Sequence, residues 1–180
     1  MLRMLILYTA LAAGANMVAA GEVDLDAANA AGLKLAAGNG QAVSQTVFTD
    51  PEGGEHTLAD YAGQAVLLNF WATWCAPCRE EMPALNALQK ELGGEDFQVV
   101  TIASGRNPQP AIDKFFTEAE IDALPVLLDP RQKLAREFGV LAMPATILID
   151  RKGVEVARLM GPADWASDAA KAAVTQLTAP

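Results

Sequence analysis

The stretch "AVLLNFWATWCAPCREEMPALNALQKEL", Ala65 to Leu92, runs from an unbroken apolar segment of strand length straight into a segment with helical periodicity. Both cysteines of the chain, Cys75 and Cys78, stand at the junction. The apolar segment reads as a buried strand, and a helix is expected from about Ala76 to Leu92. Pro77 fits the first turn of that helix, where a missing N–H costs nothing.

The rest of the chain repeats the alternation. "AVSQTVF" and "EHTLADY", parted by the turn-rich "TDPEGG", suggest an extended pair ahead of the apolar strand. After the helix come a strand "FQVVTIAS", a helix "AIDKFFTEAEI", a strand "PVLLD" and a short helix "QKLAREFG". "ATILID" and "EVARLM" read as a hairpin across "RKG", and "ASDAAKAAVTQL" as a closing helix. Strands interleaved with helices imply an α/β fold with a mixed central sheet, in one domain over residues 41–180. "GEVDLDAANAAGLKLAAGNG", residues 21–40, has no aromatic residue and reads as a linker or a frayed helix. Residues 1–20 read as an export signal: Arg3, the apolar run "MLILYTALAA" and then small residues. The run falls short of the roughly 20 apolar residues that span a bilayer, so cleavage after Ala20 is expected, with an uncleaved anchor as the alternative. Either way the globular part lies outside the cytosol. The formal charge of −9 repels phosphate backbones and argues against a nucleic-acid partner.

A Cys-x-x-Cys pair can be a staple, a metal clip or a reacting centre. As a staple it closes a loop of four residues, worth only on the order of 2 kcal/mol in the chain-entropy picture. As a metal clip it lacks ligands: a closed zinc site wants four, and the chain adds a single imidazole, His56, distant in sequence and read as an exposed turn residue. As a reacting centre it is well placed. Cys75 sits at the mouth of a helix, where unpaired backbone amides and the positive dipole end stabilise a thiolate. Cys78, nearly one turn later, is positioned to resolve a mixed disulfide.

On a helical wheel, Cys78, Met82, Leu85, Leu88, Gln89 and Leu92 share one face, and Glu81 falls within it while Glu80 points away. A carboxyl held against apolar neighbours has a raised pKa and could exchange a proton with Cys78. The alternative is that both glutamates simply complement the helix N-terminus from water.

The run "NFWATWCAPCREEMPAL", with "GVLAMPATILID" later, resembles the TlpA/ResA-like thiol–disulfide oxidoreductases of the thioredoxin superfamily. The resemblance implies a thioredoxin-like fold with an N-terminal extended hairpin and a helix and strand inserted between "FQVVTIAS" and "PVLLD". It implies Cys75 and Cys78 as a redox disulfide, and a cis peptide before Pro144. It further implies a substrate groove formed by Trp74, Pro77, Met143 and Pro144. Where thioredoxin has a buried aspartate, this chain has Asn69, which cannot take a proton, so the proton relay passes to Glu81. Ala145, not glutamate, follows Pro144, which leaves haem-attachment cysteines as one candidate substrate among others.

Ala76 and Pro77 place neither donor nor charge between the sulfurs, which leans towards a reductant. Arg79 could alter that only by turning inward. Trp71 and Trp74 are expected to share a face, Trp74 lining the contact surface and Trp71 packing. Trp165 reads as fixing the start of the last helix, and "GRNPQP" as a turn with no assigned chemistry. No G-x-G-x-x-G stands between a strand and a helix, so no nucleotide cofactor is expected. The partners expected are protein disulfides and, from the resemblance, a membrane reductant as electron donor to a monomeric periplasmic enzyme. An oxidase or isomerase on the same scaffold is the nearest alternative. A copper carrier would space its cysteines by three and add a distal histidine, and a peroxidase would want a Thr-x-x-Cys run; neither pattern is present.

Overall fold

The computed structural model describes residues 21–179. The expected export segment, residues 1–20, lies outside the described residues. No helix among the described residues is long and apolar enough to cross a membrane.

The apolar segment forms β4 (Ala65–Trp71), and every residue of it is buried. It is the centre of the sheet, parallel to β5 (Phe97–Ser104) and antiparallel to β7 (Ala145–Ile149). β6 (Leu127–Asp129) extends the parallel side and β8 (Glu155–Met160) the antiparallel side. The hairpin of β2 (Phe48–Thr49) and β3 (Glu55–His56) caps one edge, and β1 (Ala36–Ala37) the other, in the order β1-β8-β7-β4-β5-β6-β2-β3. The thioredoxin-like mixed sheet is therefore present, with its N-terminal hairpin. A helix α3 (Gln109–Glu118) followed by β6 supplies the lengthening after β5.

Alternation along β4 divides the core. Leu67 and Trp71 face α2 (Ala76–Leu92), α3 and α5 (Asp168–Leu177). Val66, Leu68 and Phe70 face α4 (Lys133–Glu137), Phe48 and Leu58, the last at the start of a 3-10 turn over Leu58–Tyr61. Helix α2 begins and ends where the periodicity places it, because its buried residues Cys78, Met82, Leu85 and Leu88 recur every three to four positions. "LADY" forms the 3-10 turn and not an extended strand: Thr57 and Asp60 close a capping box around it. His56 lies on β3, half-buried between Asp50 and Asp60 at 3.2 and 3.8 Å, and is not a free turn residue.

The segment 21–40 is not a linker. Asp24 caps α1 (Leu25–Ala30) through the Ala27 N–H at 2.9 Å. Asn29 then clips the returning chain twice, donating to the Leu35 carbonyl at 2.8 Å and accepting from the Leu35 N–H at 2.6 Å. This places Leu33 and Leu35 in the core shared with α5, and the Asp24 N–H meets Gln176 on α5 at 2.8 Å. Composition hid the segment because its four large apolar residues, Val23, Leu25, Leu33 and Leu35, are few, yet all pack in or against the core. Leu35→Ala should cost about 2–4 kcal/mol of unfolding free energy, measured by urea denaturation. An unchanged midpoint would restore the linker reading.

Candidate active site

Cys75 ends the turn that follows β4. Its N–H bonds the Ala72 carbonyl at 3.0 Å, and its own carbonyl accepts the Arg79 N–H at 3.1 Å, the first bond of α2. It is thus the N-cap residue, with Pro77 at the second helical position. The two cysteines are joined as a disulfide. Cys75 is 6% exposed and Cys78 0%, so an incoming sulfur can meet only Cys75.

The turn is held from outside the motif. Asn107, in the loop after β5, accepts the Thr73 N–H at 2.8 Å and the Thr73 hydroxyl at 3.1 Å. Its amide in turn donates to the Ser104 carbonyl at 3.0 Å and the Gly105 carbonyl at 3.3 Å. "GRNPQP" therefore has a structural task that its turn-like composition did not reveal; an asparagine ahead of proline at a strand end was the available signal.

Trp71 and Trp74 do not share a face. β4 ends at Trp71, 1% exposed, which packs between Phe115 and Phe116 with ring centres 5.6 and 5.7 Å away. The tight turn then throws Trp74 outward, 65% exposed, beside the disulfide. Arg79 does not turn inward: its guanidinium lies 4.7 Å over the Phe115 ring, a cation–π contact on the surface.

The Met143–Pro144 peptide is cis, and Pro144 is buried. Ala145 pairs opposite Phe70, which brings Pro144 to the end of β4 from which the cysteine turn departs. Met143, half-buried, packs against the core clusters on both faces of the sheet, one of which includes Cys75 and Cys78.

Glu81 is 4% exposed on the inner face of α2, and Glu80 is exposed. The amide of Asn69 donates to Glu81 Oε1 at 2.8 Å and to the Thr146 hydroxyl at 3.0 Å, linking the middle of the sheet to the helix. The Ala163 N–H donates to Glu81 Oε2 at 3.1 Å. Burial pushes the carboxyl from its ordinary value of 4.5 up to about 7, against the opposing bonds from Asn69 and Ala163. Trp165, wholly buried, makes no hydrogen bond of ordinary geometry through its Nε1 but adds a weaker polar contact that also favours the carboxylate. The loop before α5 thus does more than start a helix. Sequence reasoning missed Ala163 because a backbone N–H carries no side-chain signal.

The arrangement offers a reachable sulfur, a shielded one, and one turn further on a buried acid that titrates near neutrality. Among the described residues no group of three His, Cys, Asp or Glu is placed to hold a metal ion.

Residues 39–157 match the AhpC/TSA family. The thiol–disulfide oxidoreductase ResA of Geobacillus thermodenitrificans is 35% identical over 120 residues, 67% of this chain and 68% of that one. Among solved structures, a Chlorobium tepidum chain assigned as a DsbE thiol:disulfide interchange protein superposes with a TM-score of 0.69 at 27% identity, covering 79% of this chain and 99% of that one. A secreted thiol–disulfide isomerase from Corynebacterium glutamicum gives 0.67 at 25% identity, covering 81% and 93%.

Because Glu81 holds its proton to a higher pH folded than unfolded, the stability it contributes is full below about pH 4.5 and is lost as pH rises through about 7. The loss is on the order of 3 kcal/mol. Urea midpoints of the oxidised protein measured from pH 4 to 9 should fall over that window in the wild type and flatten in Glu81→Gln. Parallel profiles would show that Glu81 titrates normally.

Proposed function

The chain belongs to the AhpC/TSA family as a ResA-like thiol–disulfide oxidoreductase of the thioredoxin superfamily, and from that premise we propose that it reduces protein disulfides outside the cytosol. The observation that carries the reading is the unequal pair: Cys75, 6% exposed, is the sulfur open to solvent, and Cys78, fully buried, shares a helix face with a buried acid.

In the reduced enzyme the helix N-terminus favours the Cys75 thiolate. That thiolate attacks one sulfur of the partner's disulfide; the bond between the partner's sulfurs breaks, and the departing thiolate takes a proton from water. The partner's chain, now joined to Cys75, lies in the groove of Trp74, Pro77, Met143 and Pro144. Cys78 then gives its proton to the Glu81 carboxylate and attacks Cys75 Sγ, closing the Cys75–Cys78 disulfide and releasing the partner's second thiolate. Two electrons have passed to the partner; its first sulfur has taken a proton from water, its second leaves as a thiolate that solvent protonates, and the proton from Cys78 stays on Glu81. A buried acid titrating near 7 suits this exchange, because it is partly ionised at neutral pH and returns the proton without a large driving force against it.

The direction rests on Ala76 and Pro77, which put no donor or charge between the sulfurs, and on Arg79, whose charge is turned to Phe115. Residues 1–20 act in this reading as an export signal that delivers the chain to the periplasm, where it works as a monomer recharged by a membrane-bound dithiol donor. Haem-attachment cysteines of c-type cytochromes are one candidate substrate.

Cys75→Ser should abolish turnover of a protein disulfide, and Cys78→Ser should accumulate a mixed disulfide with the partner, visible as a reducible adduct on non-reducing gels. Wild-type turnover in either variant would overturn the assignment. The Cys75/Cys78 couple, titrated by tryptophan fluorescence against defined thiol and disulfide ratios, should lie near or below about −230 mV; a value near about −120 mV would make the protein an oxidant.

A further inference from the structure

A cleft of about 260 Å³ opens beside Trp74, lined also by Thr73, Arg79, Lys114, Phe115 and Glu118. Arg79 is its distinctive member. Its guanidinium carbon lies 4.7 Å over the Phe115 ring, which holds the charged group at the wall of the cleft. Its side chain meets no hydrogen-bond acceptor and no carboxylate among the described residues. Acids outnumber bases 22 to 13 in this chain, and several of its cations are paired. Lys90, Arg151, Arg158 and Lys171 each sit on a carboxylate. The arginine nearest the disulfide is left with its donor fork open. Lys114 reinforces it from α3: its pair with Glu118 is long, 3.8 Å, and exposed on both sides, so it engages that acid only weakly.

We propose that this cleft receives an Asp or Glu side chain of the partner polypeptide, carried a few residues from its reacting cysteine, on the open fork of Arg79. The inference rests on the reading of the protein as a disulfide reductase. A mixed disulfide on Cys75 places the partner's backbone next to Trp74, whose exposed indole supplies an apolar wall for it. A carboxylate reaching the cleft meets a planar, pre-positioned fork that binds it through two parallel N–H bonds. The enzyme would thus select acidic flanks around a substrate disulfide although its own net charge is −9, because Arg79 and Lys114 outnumber Glu118 among the charged groups lining the cleft.

The test uses the reduced, purified protein and a set of disulfide peptides identical except for Glu, Gln or Lys at positions flanking the cysteine. Second-order rates of reduction are read by stopped-flow tryptophan fluorescence at low salt. The Glu peptide should react about fivefold faster than the Lys peptide, the size of one favourable exposed ion pair. The ratio should fall towards one in Arg79→Gln and, in the wild type, at 0.5 M salt on the order of magnitude of a 4–5 Å screening length. Using the ratio within one variant cancels any change in cysteine reactivity, and the wild-type salt series needs no variant to fold. Equal rates for all peptides in the wild type, or a ratio that persists in Arg79→Gln, would overturn the cleft proposal and leave the reductase reading intact. Failure to reduce any peptide would overturn both.

Discussion

The hydrogen bond from Asn69 to Glu81, 2.8 Å long and buried at both ends, ties together the three parts of the site. Asn69 stands in the middle of the central strand, Glu81 on the helix that carries the cysteines, and the Ala163 N–H that holds the other carboxylate oxygen lies in the loop entering α5. An acid in this position is costly to ionise, and an apolar residue would pack there at less cost. The proton relay proposed for Glu81 gives that cost a use. The Asn69 amide is spent on acceptors, Glu81 and Thr146, so the site holds the carboxylate by donating to it without competing for the proton.

A second constraint separates what the partner touches from what the core needs. One tight turn after β4 divides two tryptophans three residues apart, sending Trp71 into an aromatic cluster with Phe115 and Phe116 and Trp74 into solvent. The same division runs through the cysteines, with Cys75 retaining a small opening to solvent and Cys78 sealed. Asn107 fixes the turn by accepting two hydrogen bonds from Thr73, so the exposed face of the site rests on a loop from the neighbouring strand and not on the cysteine motif alone.

Elements with dense, periodic hydrophobicity were legible. The helix over 76–92 and the strands "FQVVTIAS" and "EVARLM" stand where alternation and helical spacing place them, because their burial is determined by their own side chains. The inward position of Glu81 was legible for the same reason. Residues 21–40 were not: Leu33 and Leu35 are buried by α5, some 140 residues away, and the Asn29 clip that brings the chain back leaves no compositional trace. Contacts made through a backbone N–H, like that of Ala163, are equally silent in a sequence. The shared face expected of Trp71 and Trp74 failed because they are three residues apart, an odd step that strand alternation sends to opposite faces, and because the strand ends at Trp71.

Proton balance connects these points. Reducing the disulfide adds two electrons, and two sulfurs must then be either protonated or ionised. Cys75 can carry a thiolate, since the helix N-terminus and nearby solvent both favour charge there. Cys78 has neither water nor a cation to favour its thiolate, given that Arg79 is turned to Phe115. A thiolate at Cys78 together with an ionised Glu81 would bury two like charges about one helical turn apart, an arrangement that the proposed proton transfer between them avoids. In the proposed cycle the two would share one proton between sulfur and carboxylate. On that reading the attack that releases the partner needs no proton to enter or leave the core, because Cys78 and Glu81 are both buried on one helix face.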